Sequence, residues 1–295
     1  MPARLRVATR GSELARAQTA AVIARLGVDA DVVVVSTTGD QRTDAPIHAL
    51  GGTGVFVKEV QEAVLAGDAD IAVHSAKDLP SLSAPGLVLA AVPERGDARD
   101  ALVGSTLADL PTGARVGTGA VRRRAQLAAA RPDLEFGELR GNIGTRLEKA
   151  AGFDAVVVAA VALERLGLAG RIAERLDPAV MLPQVGQGAI AVECRADDDR
   201  VRALLAAVDD THAHAAVAAE RAFLAQLGGG CNLPCGALAG EVAGGVEIEV
   251  LLASLDGRTV LRARASGADP EVVGVEAARR LLDEHGGRSL LEEVA

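Results

Sequence analysis

Four short stretches place charged and hydroxyl side chains directly behind apolar runs. They are Thr9-Arg10-Gly11-Ser12 after "LRVA", Ser75-Ala76-Lys77-Asp78 after "DIAVH", Thr118-Gly119 and Arg122-Arg123-Arg124 after "ARVG", and Arg140-Gly141-Asn142 after "FGEL". Guanidinium forks suit carboxylate or phosphate, and backbone N–H groups that open helices attract the same anions. From Arg115 to Arg146 the residues Arg115, Arg122, Arg123, Arg124, Arg131, Arg140 and Arg146 outnumber Asp133, Glu135 and Glu138, although the whole chain carries a net charge of −9. An acidic protein that keeps a basic cleft implies a polyanionic ligand. Arg122, Arg123, Arg140 and Arg146 sit beside strand ends and are expected in that cleft, whereas Arg124 and Arg131 are expected to face solvent from a helix. A second kind of chemistry is offered by "GGGCNLPCG", Gly228 to Gly236, where Cys231 follows three glycines. Glycines there let the backbone bend and present the next side chain on a loop, yet taken alone the same pattern suits an ordinary buried thiol.

The elements that must position these residues alternate between strand and helix. "LRVA" (5–8), "DVVVVS" (31–36), "DIAVH" (70–74), "LVLAAV" (87–92), "ARVG" (114–117), "DAVVVAA" (154–160) and "AIAVE" (189–193) are short and apolar, as buried strands of a largely parallel sheet are. "ELARAQTAAVIARL" (13–26) and "VFVKEVQEAVLAG" (55–67) carry apolar residues three and four apart and are predicted helices. Polar residues at strand ends are where open α/β sheets bind ligands. The pattern changes near Thr211 to a helix, the glycine loop, two strands joined at Asp256-Gly257 and a closing helix, which predicts a small α+β unit. "PERGDAR", Pro93 to Arg99, is the expected hinge between two α/β lobes.

Composition excludes several classes. With 295 residues, 49% hydrophobic and 24% charged, the chain is long enough for two or three packed units. It has no apolar run of membrane-spanning length and opens with "MPARLRVATRGS", so neither a membrane nor a secreted location is expected, and a cytoplasmic one is. In a reducing compartment a Cys231–Cys235 disulfide is disfavoured, and that spacing without a nearby histidine matches zinc poorly, so no metal is expected. The absence of Trp and Tyr, with four Phe, leaves few stacking platforms for nucleic acid. "GTGAVR" lacks the last glycine and the acidic ribose contact of a dinucleotide site, and "GGTG" lacks the Lys-Ser/Thr ending of a P-loop. Small organic carboxylates remain.

The motifs "RVATRGSELARAQ", "GGTGVFVKE", "DIAVHSAKDLP", "RDALV", "VGTGAVRRRAQL", "LRGNIGTRLEK", "LERLGL", "LPQVGQGAIAVECR", "AERAFL" and "GGGCNLPCG" occur in one order over nearly the whole chain. In this the sequence resembles the hydroxymethylbilane synthase, or porphobilinogen deaminase, family. The resemblance implies a transferase of porphyrin and heme biosynthesis. Such an enzyme condenses four porphobilinogen molecules head to tail, with loss of ammonia, onto a dipyrromethane primer, and then releases the linear tetrapyrrole by hydrolysis.

It also implies roles by position. Cys231 would anchor the dipyrromethane through a thioether. Asp78 would be the catalytic carboxylate, stabilising the cationic pyrrole formed as ammonia leaves. Ser75, Lys77, Asp78, Thr118, Arg122, Arg123, Arg140, Gln187 and Gly188 would hold the cofactor, and Arg10, Ser12, Phe56, Arg140, Arg146 and Arg165 the substrate. Each ring carries an acetate and a propionate, which accounts for the arginines. His74 is expected to be structural, Lys77 to pair with a carboxylate and Cys235 to be a spectator. The implied fold is α/β, with two type II periplasmic-binding-protein-like lobes, each on a parallel-rich sheet, and a small α+β C-terminal domain. The expected boundaries are 1–93 with 189–206, 99–182, and 211–295. The implied protein is a monomer that binds porphobilinogen and the growing oligopyrrole and no nucleic acid or membrane.

Three positions depart from the family. Thr53 stands where a lysine is common, and Gly119 and Ala120 stand where serines are, so neither a lysine latch nor those hydroxyl donors carry over; backbone N–H groups can replace the latter. Two other readings share the lobes, a non-catalytic carboxylate-binding protein and a ligand-sensing module, but neither calls for a covalent pyrrole. Intact mass separates them. Purified Cys231→Ala is expected to lack both a mass excess of two pyrrole units and turnover, and Cys235→Ala to retain both; an excess that follows Cys235 would move the anchor.

Overall fold

The computed structural model describes residues 4–38, 54, 56–228 and 233–294. Cys231 and Thr53 lie outside the described residues, as does most of the stretch 37–54. The first lobe is built from β1 (Leu5–Arg10), α1 (Glu13–Leu26), β2 (Ala30–Val35), α2 (Lys58–Leu65), β3 (Ile71–Ser75) and β4 (Leu87–Ala91). The second contains β5 (Asp100–Val103), β6 (Arg115–Gly117), α3 (Val121–Ala130), β7 (Glu135–Gly137), α4 (Ile143–Lys149), β8 (Ala155–Ala159), α5 (Ala160–Arg165) and β9 (Glu174–Arg175). The chain then returns through β10 (Ile190–Arg195) and α6 (Asp199–Leu205). A last unit comprises α7 (Thr211–Gln226), β11 (Cys235–Val242), β12 (Gly245–Ala253), β13 (Val260–Gly267), α8 (Pro270–Arg279) and α9 (Gly287–Val294).

The two large sheets have the same plan, β2-β1-β3-β10-β4 and β7-β6-β8-β5-β9. In each, three neighbouring strands run parallel, and the fourth in the order is antiparallel to both its neighbours. That fourth strand, β10 or β5, is the one arriving from the other lobe, so it enters its sheet from the opposite end. Apolar β-branched residues explain the centres: all of Ala155–Ala159 is buried, as are Val7 and Ala8. At the edge, β2 leaves Val32 and Val34 exposed.

Local signals fix where helices begin and end at the cleft. Ser12 caps α1 by accepting from the Ala15 N–H at 3.3 Å, and Gly27, at φ 62°, closes it with its N–H on the Ile23 carbonyl. Asn142 caps α4 through the Thr145 N–H at 2.9 Å. The C-terminal sheet is an antiparallel meander, β11-β12-β13, whose buried Ile248, Val250 and Leu252 pack with Phe223 of α7 and Ala277 of α8. β5, β7, β9 and β11 are too short, or too interrupted by glycine and charge, to stand out as strands in the sequence.

Chain segments 92–99 and 176–189 cross between the lobes side by side, joined by the Gly96 N–H on the Gly188 carbonyl at 3.2 Å. The third unit is fastened to them by Glu220 of α7, which is fully buried. Its carboxylate accepts from Arg95 Nη1 at 2.7 Å and Nη2 at 3.1 Å, from the Gly186 N–H at 2.6 Å and from the Ala239 N–H at 2.9 Å. Glu220→Ala is therefore expected to lower stability by about 3–5 kcal/mol, because it strands a guanidinium and two buried N–H groups. Urea unfolding followed by circular dichroism measures this, and Glu220→Gln should lose less.

Candidate active site

The loops at the strand ends of the two lobes face each other. On the first, Arg10 ends β1, Ser75 ends β3, and Lys77 and Asp78 lie on the one-turn helix Ala76–Asp78 that comes next. Arg10 Nη1 is 3.6 Å from Asp78 Oδ2, and the Arg10 guanidinium lies 4.3 Å from the centroid of Phe56. Ser75 shares a hydrogen bond with the buried Gln18 of α1, at 2.9 Å from Nε2. On the second lobe, Thr118 Oγ1 accepts the Ala120 N–H at 3.2 Å in the turn that enters α3, a helix with no side-chain cap. Arg146 donates through Nε to the Gly141 carbonyl at 2.8 Å, and Arg140 Nε lies 3.5 Å from Glu138.

The electrostatics join the two sides. Desolvation between the lobes, reinforced by the charges of Arg123 and Arg146, pushes the Lys77 ammonium down to about 8, against opposing support from Asp78 and Asp100. Arg146 is lowered to about 10 by burial and by Arg123 and Arg140, with Asp78 again opposing. Arg123 acts on both Lys77 and Arg146 while Asp78 opposes it, so charges of the two lobes share one desolvated site.

Arg122 and Arg123, both buried, have specific internal partners. Arg122 Nη1 donates to the Leu182 carbonyl at 2.6 Å and Nη2 is 2.8 Å from Asp100; Arg123 donates to Asp100 through Nε at 3.0 Å and to the Val157 carbonyl through Nη1 at 3.0 Å. Gln187 Nε2 bridges the Ala98 carbonyl at 2.7 Å and Asp100 at 3.1 Å. Arg165 donates to the Gly188 carbonyl at 2.7 Å, and burial lowers its guanidinium to about 10. Gly188 is required as glycine: at φ 92° an added Cβ would lie 2.5 Å from the Gly96 carbonyl oxygen. Arg10, Phe56, Ser75, Lys77, Asp78, Arg140 and Arg146 thus belong to the facing strand ends, while Asp100 holds Arg122 and Arg123 behind them, Ser12 caps a helix, and Arg165 and Gly188 fasten the crossings.

Residue-level reading passes over Gln18, Asp100 and Glu220. Asp100 comes just after a hinge motif and reads as a turn former; only its position directly before "ALV" hints at a strand. The expectation for Arg131 is corrected. Instead of facing solvent, it is half-buried and donates to Asp133 at 2.8 Å, to the Leu107 carbonyl at 2.9 Å and to the Leu110 carbonyl at 3.2 Å, because it ends α3 against the 107–111 turn. Arg124 is exposed. His74 Nε2 lies 3.1 Å from Glu193, both buried, as a structural imidazole would.

Residues 5–203 match the family model described as porphobilinogen deaminase, dipyromethane cofactor binding domain, and residues 214–283 match the porphobilinogen deaminase C-terminal domain. The chain belongs to the porphobilinogen deaminase family. It is 50% identical over 296 residues to the porphobilinogen deaminase of Roseiflexus sp. (strain RS-1), covering 97% of each chain. It is 44% identical over 302 residues to that of Syntrophobacter fumaroxidans, covering 98% of this chain and 97% of the relative. Among solved structures, a nutrient binding protein from Burkholderia cenocepacia bound to methionine overlaps at a TM-score of 0.43 and 13% identity, covering 70% of this chain and 92% of that one. That overlap is too loose to argue from. As a family member the chain is a transferase, with its dipyrromethane-binding domain over the two large sheets.

The donor set fits a dipyrromethane. Its acetate and propionate groups would supply negative charge to the cations around Lys77 and Arg146. Gln187 Oε1 is a buried acceptor with no hydrogen-bond partner among the described residues, which is costly unless a donor reaches it.

The Lys77 shift has a measurable sign. With a folded pKa near 8 against 10.5 for an ordinary lysine, the folded chain binds fewer protons than the unfolded one between these values. Stability contributed at Lys77 therefore rises with pH across that window and is lost as pH falls through 8. In the Cys231→Ala background, urea midpoints between pH 8 and 10.5 are expected to rise relative to the Lys77→Met counterpart; parallel curves would contradict the shift.

Proposed function

We propose that this chain is a hydroxymethylbilane synthase in which Asp78 is the catalytic carboxylate and Cys231 the anchor of the dipyrromethane. The supporting observation is the cleft's charge: Arg123 and Arg146 of the second lobe lower the proton affinity of Lys77 on the first, and Asp78 is a carboxylate set among them. Such a cleft suits an oligopyrrole whose every ring brings two carboxylates. When bound, the dipyrromethane supplies the nucleophilic pyrrole carbon to which the first substrate unit is joined.

Arg10, Lys77, Arg140 and Arg146 bind and orient carboxylates, with Arg123 set behind them on Asp100. Ser75 is held by Gln18, and Phe56, braced on Arg10, offers an apolar face to a ring. As ammonia leaves the aminomethyl carbon of porphobilinogen, positive charge develops on its pyrrole nitrogen, and Asp78 stabilises it there while holding the N–H proton. Arg10, at 3.6 Å, keeps Asp78 oriented. Arg122, Arg165, Gln187 and Gly188 act behind these groups, on the crossings and on Asp100.

The chain just beyond Cys231 is compatible with an anchor there. Two residues on, Leu233 is packed in the C-terminal core. Shortly after, the Ala237 N–H donates to the Pro183 carbonyl at 2.9 Å, and Gly236 leaves no room for a Cβ against the Leu182 and Pro183 carbonyls. The chain near Cys231 is thus tied to the segment that also receives Arg122. We take the units to be 1–93 with 189–206, 99–182 and 211–295. No helix among the described residues is long and apolar enough to cross a membrane; a cytoplasmic monomer is the reading we adopt.

Asp78→Asn tests the assignment. The amide is nearly isosteric, so folding should persist, but the charge that balances the pyrrole cation is gone, which typically costs about 3–4 kcal/mol in the transition state. Condensation should fall roughly a hundredfold or more. Because assembly of the cofactor uses the same condensation, the variant must first be loaded with preformed tetrapyrrole. Its single-turnover rate is then measured, and a near wild-type value would remove Asp78 from the role.

A further inference from the structure

Asp100 lies entirely inside the protein, at the first position of β5, directly after the crossing segment 92–99. Three side chains from two other parts of the chain converge on it. Arg122 Nη2 is 2.8 Å from Oδ2, Arg123 Nη2 is 2.8 Å from Oδ1, and Gln187, from the second crossing, donates to Oδ1 at 3.1 Å. Consecutive residues on a helix point roughly 100° apart, so Arg122 and Arg123 would diverge without a common acceptor. One carboxylate gathers both guanidiniums and ties them to both crossings. Being buried, Asp100 does not reach the cleft itself.

The charges do not cancel. Two guanidiniums share one carboxylate, so the cluster keeps an excess positive charge. Burial would raise the Asp100 carboxyl, but Arg122 and Arg123 outweigh it and hold it at about 2, so it stays ionised. Lys77 feels this cluster directly: Arg123 lowers its proton affinity and Asp100 raises it, alongside Asp78, which raises it, and Arg146, which lowers it.

We propose that Asp100 is a positioning residue for the synthase reaction, holding Arg122, Arg123 and Gln187 in the arrangement that loading of the dipyrromethane requires. The inference rests on the function proposed above. A buried ion cluster is a poor source of stability by itself; here its consequence is the direction and charge of the arginines behind the cleft. Removing the carboxylate leaves two buried guanidiniums repelling each other and frees Gln187 from one of its two acceptors.

The test compares wild type, Asp100→Asn, Asp100→Glu and the double variant Asp100→Asn/Arg122→Gln, which removes one charge of each sign and protects against a failure to fold. Intact mass reads the fraction carrying two extra pyrrole units. Mass against time after adding preformed tetrapyrrole to cofactor-free protein reads the loading rate at several pH values, and circular dichroism checks folding. Folded Asp100→Asn and the double variant are expected to load at least tenfold more slowly, and Asp100→Glu to recover part of the rate. In Asp100→Asn the pH above which loading declines should also move lower, because Lys77 loses a supporting carboxylate; a merely structural role would not move it. Wild-type loading rates with an unshifted pH profile, in either folded Asn-bearing chain, would overturn the assignment. A wild-type chain with no mass excess would instead overturn the proposed function, and Asp100's role with it.

Discussion

Cations gathered from both lobes and withdrawn from water are the constraint around which the cleft is arranged. Lys77 and Arg146 come from different lobes, yet each is depressed by Arg123 and supported by Asp78. In water such groups would drift apart at little cost, since like charges at a few ångströms repel by only about 1 kcal/mol there, but a desolvated cleft strengthens the repulsion several-fold. Something must hold the lobes together against it. A ligand with several carboxylates, as proposed above, would offset that repulsion, so its binding and the pairing of the lobes would draw on the same interaction.

Before any ligand arrives, two buried carboxylates do the holding. Glu220 gathers Arg95, Gly186 and Ala239, and Asp100 gathers Arg122, Arg123 and Gln187. Both act at the crossing segments rather than in the cleft. Buried carboxylates satisfied by several donors fix geometry closely, because any shift strands a charge without water to replace the lost partner. The division is a physical one: fully enclosed acids fix the frame, while Asp78 stays partly accessible in the cleft.

How much of this is legible from sequence depends on whether the determining contact is local. Apolar runs such as "DAVVVAA" and the caps Ser12 and Asn142 arise from propensity and short-range hydrogen bonding, so the lobes and the loops bearing Arg10, Lys77, Asp78 and Arg140 can be placed. The strand Asp100–Val103 cannot, because it is short and its antiparallel pairing with β8 joins residues more than fifty positions apart. The same kind of separation hides Asp100 as the partner of Arg122 and Arg123. Arg131 misleads for a related reason: its helix position resembles a solvent-facing one until the 107–111 turn is brought against it. Charge composition announces a polyanion site but not which arginines face it, since that depends on which guanidiniums are already held by buried acids.

Gly119 and Ala120, where the family resemblance leads serines to be expected, lie in close backbone packing. At Gly119 an added Cβ would lie 2.8 Å from the carbonyl oxygen of Leu139, the residue before Arg140. The turn after β6 therefore rests on the loop that carries Arg140, closer than a side chain would permit. Ala120 has no hydroxyl to cap α3, and its own N–H is taken by Thr118 Oγ1. Glycine at 119 thus permits a tight approach of two strand-end loops. Backbone N–H groups at a helix start favour an anion, and the closeness of this turn to the Arg140 loop puts them beside a guanidinium that favours one too.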